Sequence, residues 1–391
     1  MTVRAISIAP LRRISPVGGE SHYFYGYYDN YAFDVRDRLH LCNRVAFMDR
    51  LPTPEDVNEL GVIDLETSQF SVLACTQTWN FQQGSMLEWN PANRDEILYN
   101  TWQDDGYRCI VQNIRTGAKK LFSRALADVS PDGKYGLAVN FSRIYDFRPG
   151  YGYCLEQDPW RDVPQPDDDG IFLVDMLSGD SRLLISYRQM GRIFNTSAES
   201  PNSKIVINHI TFNQSSDRFL FLVRNFPPEG GGWKTALGTA DLDGRVYKLR
   251  SYTYASHYSW KDGNKLLIHA DCGEGNGLYE LSDQTQDYTL YNPEFFTQDI
   301  HCSYSPDKRF ILGDGYPDQE HYRSIHLYNI NTHKRILLGR FYSPATANTD
   351  VRCDLHARWS RNGQMISFDS IHEGYRGVYT MDLAAILDSQ L

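Results

Sequence analysis

A short pattern of turn and strand recurs seven times along the chain, and it constrains the fold more than any other feature. Each copy has a polar turn, a short apolar strand, a loop, and a second strand that ends in another polar turn. In turns such as Ser130–Gly133, proline presets the first turn position and Asp and Gly accept the tight backbone that follows. The seven turns lie at Asp34–Asp37, Asn93–Asp95, Ser130–Gly133, Asp217, Trp260–Gly263, Ser305–Asp307 and Trp359–Gly363.

Most of these copies are spaced by about 40–55 residues, which is the period of a four-stranded propeller blade. We therefore predict an all-β fold, a seven-bladed β-propeller of four-stranded antiparallel blades, forming a single domain over residues 1–391. A β-sandwich with coincidental turns would not give seven ordered copies.

Three segments stand outside the plain repeat. Two insertions, at about 142–170 and 186–207, are longer than blade connections need, and long loops in compact domains often carry function. The N-terminal segment Ser21–Tyr25 is predicted to pair with the last blade, because closing the sheet removes an exposed edge.

Charge and composition exclude several partners. The net charge is −10 and no block of Lys or Arg stands out, so a nucleic-acid partner is not expected. No apolar run is long enough to span a membrane, and the first residues lack the apolar stretch of a signal peptide. The seven cysteines are scattered, without a CxxC pair, which indicates reduced thiols and a cytoplasmic protein.

Four histidines occupy one position of the repeat. His209, His257, His301 and His356 each precede an aromatic residue by three positions, at the predicted start of an innermost strand. Equivalent positions on neighbouring blades face one another at one mouth of the central channel, so the imidazoles could ligate a divalent metal. The alternative is a packing residue carried by the repeat, although units two and three lack it.

The loops predicted at the same mouth are rich in arginine and aromatic residues. Guanidinium groups bind carboxylates or sulfates through two hydrogen bonds, and the faces of Tyr and Trp suit sugar rings. The candidates for substrate binding are Arg148, Arg224, Trp233, Tyr375 and Arg376. The alternative is that several of them only pack the loops.

Three resemblances follow from these residues. The Ser-Pro-Asp-Gly repeat is similar to TolB-type propellers over nearly the whole chain, which concerns the fold more than the function. The stretches CDLHARWSRNG and FDSIHEGYRGVYTMDL resemble oligogalacturonate lyases, which are propellers with a metal held by His and Gln. WNFQQGSMLEW and RPGYGY resemble propeller ulvan lyases.

The lyase resemblance implies a metal and a set of ligands. The cofactor would be a divalent metal, Mn or Zn, and the expected ligands are His209, His257, Gln298, His301 and His356. Oligogalacturonate lyases also carry a second His two residues after the first in one blade. Ser303 stands two residues after His301 here, so the ligand set departs from that pattern.

The implied reaction is β-elimination on an anionic, uronic-acid-containing oligosaccharide. The charge of the uronate carboxylate must be neutralised before the α-proton can leave, and a metal or an arginine can do so. A base then takes the proton and an acid can protonate the leaving oxygen. Arg143, Tyr145 and Tyr258, with the histidines, are the catalytic candidates, and base and acid are not assigned among them.

Two other functions stay open from the sequence. One is a non-catalytic, TolB-like propeller that binds a ligand or a protein at its mouth and holds no metal. The other is a glycoside hydrolase, which needs two carboxylates at a defined separation. Glu88, Asp128, Asp299 and Asp354 lie near predicted first strands and are the candidates for that pair.

Overall fold

The structure is a computed structural model, and it describes residues 4–18, 20–195, 202–226 and 232–388. The described residues form 29 strands in seven antiparallel sheets, with three α-helices and one short 3-10 helix. Each sheet holds four strands, apart from one that gains a fifth. The prediction of an all-β, seven-bladed propeller is confirmed.

The chain opens with two short strands, β1 (Ala5–Ser7) and β2 (Leu11–Arg13). The first blade pairs β3 (His22–Phe24), β4 (Leu39–Val45), β5 (Asn58–Asp64) and β6 (Phe70–Thr76) in chain order. The second blade holds β7 (Glu88–Trp89), β8 (Glu96–Gln103), β9 (Gly106–Asn113) and β10 (Lys119–Phe122). The third holds β11 (Asp128–Val129), β12 (Tyr135–Ala138), β13 (Gly170–Asp175) and β14 (Ser181–Ser186).

The remaining four blades repeat this order. The fourth holds β15 (Lys204–Phe212), β16 (Arg218–Phe226), β17 (Lys234–Asp241) and β18 (Val246–Thr253). The fifth holds β19 (Ala255–Trp260), β20 (Lys265–Asp271), β21 (Asn276–Ser282) and β22 (Tyr288–Tyr291). The sixth holds β23 (Ile300–Tyr304), β24 (Phe310–Gly315), β25 (Tyr322–Asn329) and β26 (Arg335–Tyr342), and the seventh β27 (Arg358–Trp359), β28 (Met365–Ser370) and β29 (Gly377–Asp382).

The turns owe their recurrence to side chains that bond within the turn. The hydroxyl of Ser130 donates to Asp132 at 2.8 Å and accepts from the backbone nitrogen of Tyr135 at 3.0 Å. Gly133 follows with a φ of 69°, in the left-handed region that favours glycine. The same serine-centred bonds recur at Ser305 and Ser360. This local chemistry explains why the repeat is visible in the sequence.

The N-terminal strands complete the last two blades. β2 pairs with β29 as the fourth strand of the seventh blade, and β1 pairs with β26 as a fifth strand of the sixth. The segment predicted to pair with the last blade, Ser21–Tyr25, instead supplies the first strand of blade one, His22–Phe24. It still contacts the last blade, because the backbone nitrogen of Tyr23 donates to the carbonyl oxygen of Arg376 at 3.0 Å. The buried Tyr23 and Phe24 suit an inner strand, whereas Leu11–Arg13 is partly exposed and suits an outer one.

The described residues divide into two compact units. One comprises Met1–Trp89 and Gln298–Leu391, and the other Asn90–Thr297. In the first, apolar residues of blades six and seven form one buried cluster, which includes Leu312, Phe341 and Phe368. In the second, a cluster of blades four and five includes Leu222 and Ile268. The expectation of a single domain over residues 1–391 stays a prediction.

The insertions contain two of the helices. The first insertion begins with α1 (Phe141–Tyr145), and the second begins with α2 (Tyr187–Phe194), which Ser186 and Gln189 cap reciprocally. Residues 196–201 of the second insertion lie outside the described residues. A 3-10 helix spans Thr349–Val351, and α3 (Ala384–Asp388) follows the last strand. No helix in the described ranges is long and apolar enough to cross a membrane.

Candidate metal centre

Three potential metal ligands lie together in the unit that contains blades six and seven. His301, Asp354 and His356 each offer one ligand atom, and these atoms lie within 4.8 Å of one another. The two imidazole rings are nearly perpendicular, with centroids 4.4 Å apart. The three residues are only 2–3% exposed, so their polar atoms depend on partners inside the protein.

Hydrogen bonds fix the protonation of both imidazoles at Nδ1. Nδ1 of His301 donates to a carboxylate oxygen of Asp314 at 3.1 Å, and Nδ1 of His356 donates to the carbonyl oxygen of Gly26 at 2.8 Å. In this tautomer each ring carries its lone pair on Nε2, the atom that can ligate a metal. Nε2 of His356 has no hydrogen-bond partner in the described part of the chain.

Asp314 also shapes the backbone that carries His356. Its two carboxylate oxygens accept from the backbone nitrogens of His356 at 3.2 Å and of Ala357 at 3.0 Å. His356 has a φ of 45°, which is costly for a residue other than glycine and requires support from its surroundings. The same carboxylate thus orients His301 and stabilises the turn at His356.

Asp354 is held as an anion by two arginines. Its carboxylate lies 2.8 Å from Nη2 of Arg323 and 2.8 Å from Nε of Arg352. Burial alone would raise the pKa of Asp354, but Arg323 and then Arg352 outweigh it and hold this pKa well below its usual range. Burial, and then His301, lower the pKa of His356 well below its usual value. A neutral imidazole and an ionised carboxylate are the forms that bind a metal.

The loop that presents Asp354 is tied down on its N-terminal side. Nη2 of Arg376 donates to the carbonyl oxygens of Val351 at 2.6 Å and Arg352 at 2.8 Å, and Nε2 of Gln82 donates to the latter oxygen at 3.0 Å. Arg376 is buried and supports this loop, while its contact with substrate stays a prediction.

Two buried tyrosines cover the pair of imidazoles. The ring of Tyr27 lies 4.8 Å from that of His356, and the ring of Tyr28 lies 5.4 Å from that of His301, measured between centroids. Sequence reasoning missed both tyrosines, and it considered Asp354 only as a glycosidase carboxylate. The sequence signal for Asp354 was its position two residues before His356. The lyase resemblance implied a pair of ligands at this spacing, but at His301 and the position of Ser303.

Of the five predicted metal ligands, the structure brings together His301 and His356. Gln298 is exposed on a bend two residues before β23. His209 and His257 belong to the other unit. His209 lies at a bulge inside β15 with its ring 5.4 Å from that of Tyr151, and His257 is buried in β19 with Nδ1 3.3 Å from the hydroxyl of Ser256.

Arg143, a predicted catalytic residue, is buried in the first insertion. Its guanidinium forms an ion pair with Asp158 at 3.1 Å and donates to the carbonyl oxygen of Ile205 at 2.8 Å. It also donates to three carbonyl oxygens within the insertion, those of Trp160, Val163 and Pro164. These bonds engage every nitrogen of the group and give Arg143 a structural role, while its catalytic role stays a prediction.

The two predicted catalytic tyrosines differ in accessibility. Tyr258 is buried in the core of blades four and five, and its hydroxyl lies 2.9 Å from that of Thr211. Packing therefore accounts for Tyr258. Tyr145 is half-buried at the end of α1.

Arg148, Arg224 and Trp233 lie together in the second unit. The guanidinium carbon of Arg224 is 4.6 Å from the centroid of the Trp233 ring, and that of Arg148 is 5.8 Å from it. Arg224 is buried and bonds to Asn208, whereas Trp233 is 44% exposed. The accessible part of this group, Arg148 with Trp233, offers a cation and an aromatic face.

Tyr375, the remaining predicted substrate contact, belongs to a small surface cluster. Its hydroxyl donates to Glu373 at 3.0 Å, and the guanidinium of Arg13 lies 4.2 Å from its ring centroid. Tyr375 is not one of the three residues of the candidate ligand cluster.

Comparisons with known proteins identify similar folds. A solved structure of oligogalacturonate lyase in complex with manganese is 14% identical, covers 96% of this chain and 93% of its own, and has a TM-score of 0.69. Oligogalacturonate lyase from Vibrio parahaemolyticus is 11% identical over 98% and 97% of the two chains, with a TM-score of 0.66. The β-propeller domain of the Trilobed protease from Pyrococcus furiosus is 9% identical over 93% and 96%, with a TM-score of 0.53.

No protein-family model and no curated protein sequence matches the chain. At these low identities the structural likeness shows the fold, and the expected resemblance to oligogalacturonate lyase propellers is confirmed at that level.

Proposed function

We propose that this protein is a carbohydrate-active propeller, a lyase that cleaves uronic-acid-containing oligosaccharides by metal-assisted β-elimination. The observation that carries the proposal is the buried cluster of His301, Asp354 and His356, in which Nε2 of His356 has no hydrogen-bond partner in the described residues and lies 3.8 Å from a carboxylate oxygen of Asp354. The likeness in fold to the manganese complex of an oligogalacturonate lyase supports it.

The residues present fit a divalent metal. His301, Asp354 and His356 would hold it, and two imidazole nitrogens with one carboxylate suit Mn, Fe or Zn. Mn and Zn are the candidates we retain. When bound, the metal would neutralise the carboxylate of a uronate, so that the adjacent C–H bond becomes acidic.

The chain's own residues prepare this site in three ways. Asp314 and Gly26 keep the proton of each imidazole on Nδ1. Arg323 and Arg352 keep Asp354 ionised. Tyr27 and Tyr28 bury the pair of imidazoles, which strengthens electrostatic interactions because little water screens them.

Substrate recognition is proposed for residues of the second unit. Arg148 can pair with a uronate carboxylate, and the exposed face of Trp233 can stack on a sugar ring. His257 and Tyr145 are the candidates for the base and the acid, and their roles are not divided further. All seven cysteines are free thiols, which suits action in a reducing cytoplasm on imported oligomers.

The proposal is tested by offering the protein a panel of oligouronides with Mn²⁺ or Zn²⁺. The readout is the ultraviolet absorbance of the unsaturated uronate product. We expect product from at least one oligouronide, and none from chelator-treated protein or from the His356→Ala variant. Protein that binds metal and yields no unsaturated product from any uronide would contradict the lyase proposal.

One observation favours a second candidate, a glycoside hydrolase. Burial, and then the charge of Asp29, raise the pKa of Glu88 to about 8, so that this carboxyl group is protonated at neutral pH, as a general acid must be. Among the other carboxylates considered, Asp128 accepts from the backbone nitrogen of Phe212 at 2.6 Å and Asp354 is paired with arginines. Saturated sugar products with new reducing ends would support hydrolysis instead of elimination.

A further inference from the structure

A polar cavity lies beside the first insertion, within the unit Asn90–Thr297. It has a volume of about 260 Å³ and opens between the hairpin of β8 and β9 and the chain that follows β12. Tyr107 joins the two walls, because its hydroxyl accepts from the backbone nitrogens of Leu155 at 2.8 Å and Glu156 at 3.0 Å. The proposed reaction uses none of the residues that line it.

The walls of this cavity carry polar groups with unused hydrogen-bonding capacity. Arg124 is stacked over Phe172, with its guanidinium carbon 3.4 Å from the ring centroid, and its Nε donates to Ser181 at 3.2 Å. Neither Nη of Arg124 bonds to any described residue, and the same is true of the carboxylate of Glu156 and the indole nitrogen of Trp160. A few convergent polar groups beside an aromatic ring are typical of ligand sites.

Two charges on the walls are incompletely compensated by the protein. Asp169 is buried, and it accepts from Asn140 and from the backbone nitrogen of Gly170, both at 2.7 Å. Burial nevertheless raises the pKa of Asp169, and burial lowers the pKa of Arg124. No ion pair joins these two residues among the described contacts. A ligand with both donors and acceptors could therefore bond to both of them.

The balance of charge selects the class of ligand. Carboxylates outnumber guanidiniums on the walls, with Asp105, Glu156, Asp168 and Asp169 set against Arg108 and Arg124. This excess of carboxylates disfavours an anion, since like charges repel. Hydroxyl groups can donate to the carboxylates and accept from Arg124 at the same time. The volume is just below the usual range for drug-sized ligands, which fits a single ring.

We infer that this cavity binds one neutral sugar residue, whose hydroxyl groups bond to Arg124, Glu156 and Asp169 and whose ring packs on Trp160. The site goes beyond the proposed lyase function, which concerns uronates and a metal. The inference does not depend on that function, because it rests on different residues and needs no metal. A propeller that acts on mixed oligosaccharides would gain recognition of the neutral sugars beside the uronates.

The test measures the binding of methyl glycosides of neutral hexoses and 6-deoxyhexoses to metal-free protein. Binding is measured by saturation-transfer NMR and calorimetry. Methyl glucuronide and glycine are the comparison ligands, an anion and a zwitterion. We expect a neutral glycoside to bind and the two comparison ligands to bind more weakly. Trp160→Ala and Arg124→Ala should each weaken binding about tenfold or more, since each removes a direct contact.

Two further variants keep the result interpretable. Arg115→Ala removes an exposed arginine that pairs with Asp95 in the same unit, and it should leave binding unchanged. Glu156→Gln keeps the size of the side chain and tests the site if Arg124→Ala fails to fold. The inference is overturned if no neutral glycoside binds, if glucuronide or glycine binds better, or if Trp160→Ala and Glu156→Gln both bind as well as the original protein. A lyase assay on the original protein is carried out separately. Failure of the lyase proposal and failure of the neutral-sugar proposal can therefore be told apart.

Discussion

Asp314 accepts a hydrogen bond from Nδ1 of His301 at 3.1 Å, and the same carboxylate binds the backbone nitrogen of His356 at 3.2 Å. One side chain therefore positions two proposed metal ligands that stand on different blades. A ligand histidine whose Nδ1 donates to a carboxylate, as that of His301 does, has a fixed tautomer and a more basic Nε2.

We predict that Asp314→Asn weakens metal binding by about 10–100-fold, as removal of such a supporting carboxylate does in other metal sites. The amide oxygen can accept at most the two hydrogen bonds that one carboxylate oxygen now accepts, and the NH₂ group would then face the remaining donor. Metal affinity is measured by competition with a chromophoric chelator. Asp307→Asn, at an exposed turn of the same blade, is the matched control. Unchanged affinity in a folded Asp314→Asn variant would show that this carboxylate does not support the ligands.

A second prediction concerns stability in acid. Burial lowers the pKa of His40 to about 3 and those of His326 and His372 to about 4, whereas the unfolded chain titrates near 6.5. The unfolded state binds more protons between these values, so the free energy of unfolding should fall as the pH drops from about 6.5 towards 4. Above pH 7 these histidines should contribute no pH dependence.

The measurement is the thermal midpoint as a function of pH. His40 is fully buried, and its nitrogens contact the carbonyl oxygen of Leu41 at 2.6 Å and the hydroxyl of Ser367 at 2.9 Å. His40→Gln should flatten the acid slope even if it lowers the midpoint at pH 7. An unchanged slope in that variant would show that His40 does not carry the effect.

A third prediction concerns Arg143. Replacing it with Ala leaves the buried carboxylate of Asp158 without its guanidinium partner, which we expect to cost about 3–5 kcal/mol of stability. Chemical denaturation measures the loss. Arg161→Ala, an exposed arginine 3.8 Å from Asp146, should change stability by less than about 0.5 kcal/mol. A stable Arg143→Ala protein that has lost its activity would instead support the catalytic role expected from the sequence.

A fourth prediction concerns the N-terminal strands. Deleting residues 1–14 removes the strands that pair with β26 and β29, and so exposes two sheet edges. We expect aggregation or a large drop in the thermal midpoint, because unpaired edges associate with other chains. A soluble, monomeric deletion of residues 1–14 with the original midpoint would contradict the closure role of β1 and β2.

The blades could be predicted from the sequence because their signals are local. A turn such as Ser130–Gly133 is stabilised by its own side chains, so it can be predicted from its own residues. The ligand cluster was found only in part, because Asp354 and His301 stand 53 positions apart and meet through tertiary structure. The structural contacts of Arg143 could not be predicted from the sequence either, since its carbonyl partners lie up to 62 residues away.

Aligning the four histidines on their turns assumes that they occupy equivalent positions in their strands. The structure shows different positions: His209 lies inside β15 at a bulge with a φ of 59°, whereas His356 lies before β27. A bulge changes the direction of a side chain without leaving a mark in the residue pattern. The repeat therefore predicted the blades better than it predicted which histidines meet.

The most direct test of the central claim is the metal content of the purified protein after loading with Mn²⁺ or Zn²⁺ and dialysis, measured by elemental analysis. His301, Asp354 and His356 should hold one divalent ion per chain. We predict that the double variant Asp354→Asn with His356→Ala holds almost none while its thermal midpoint remains measurable. Protein that binds no divalent metal, or a double variant that binds as much as the original, would contradict the account.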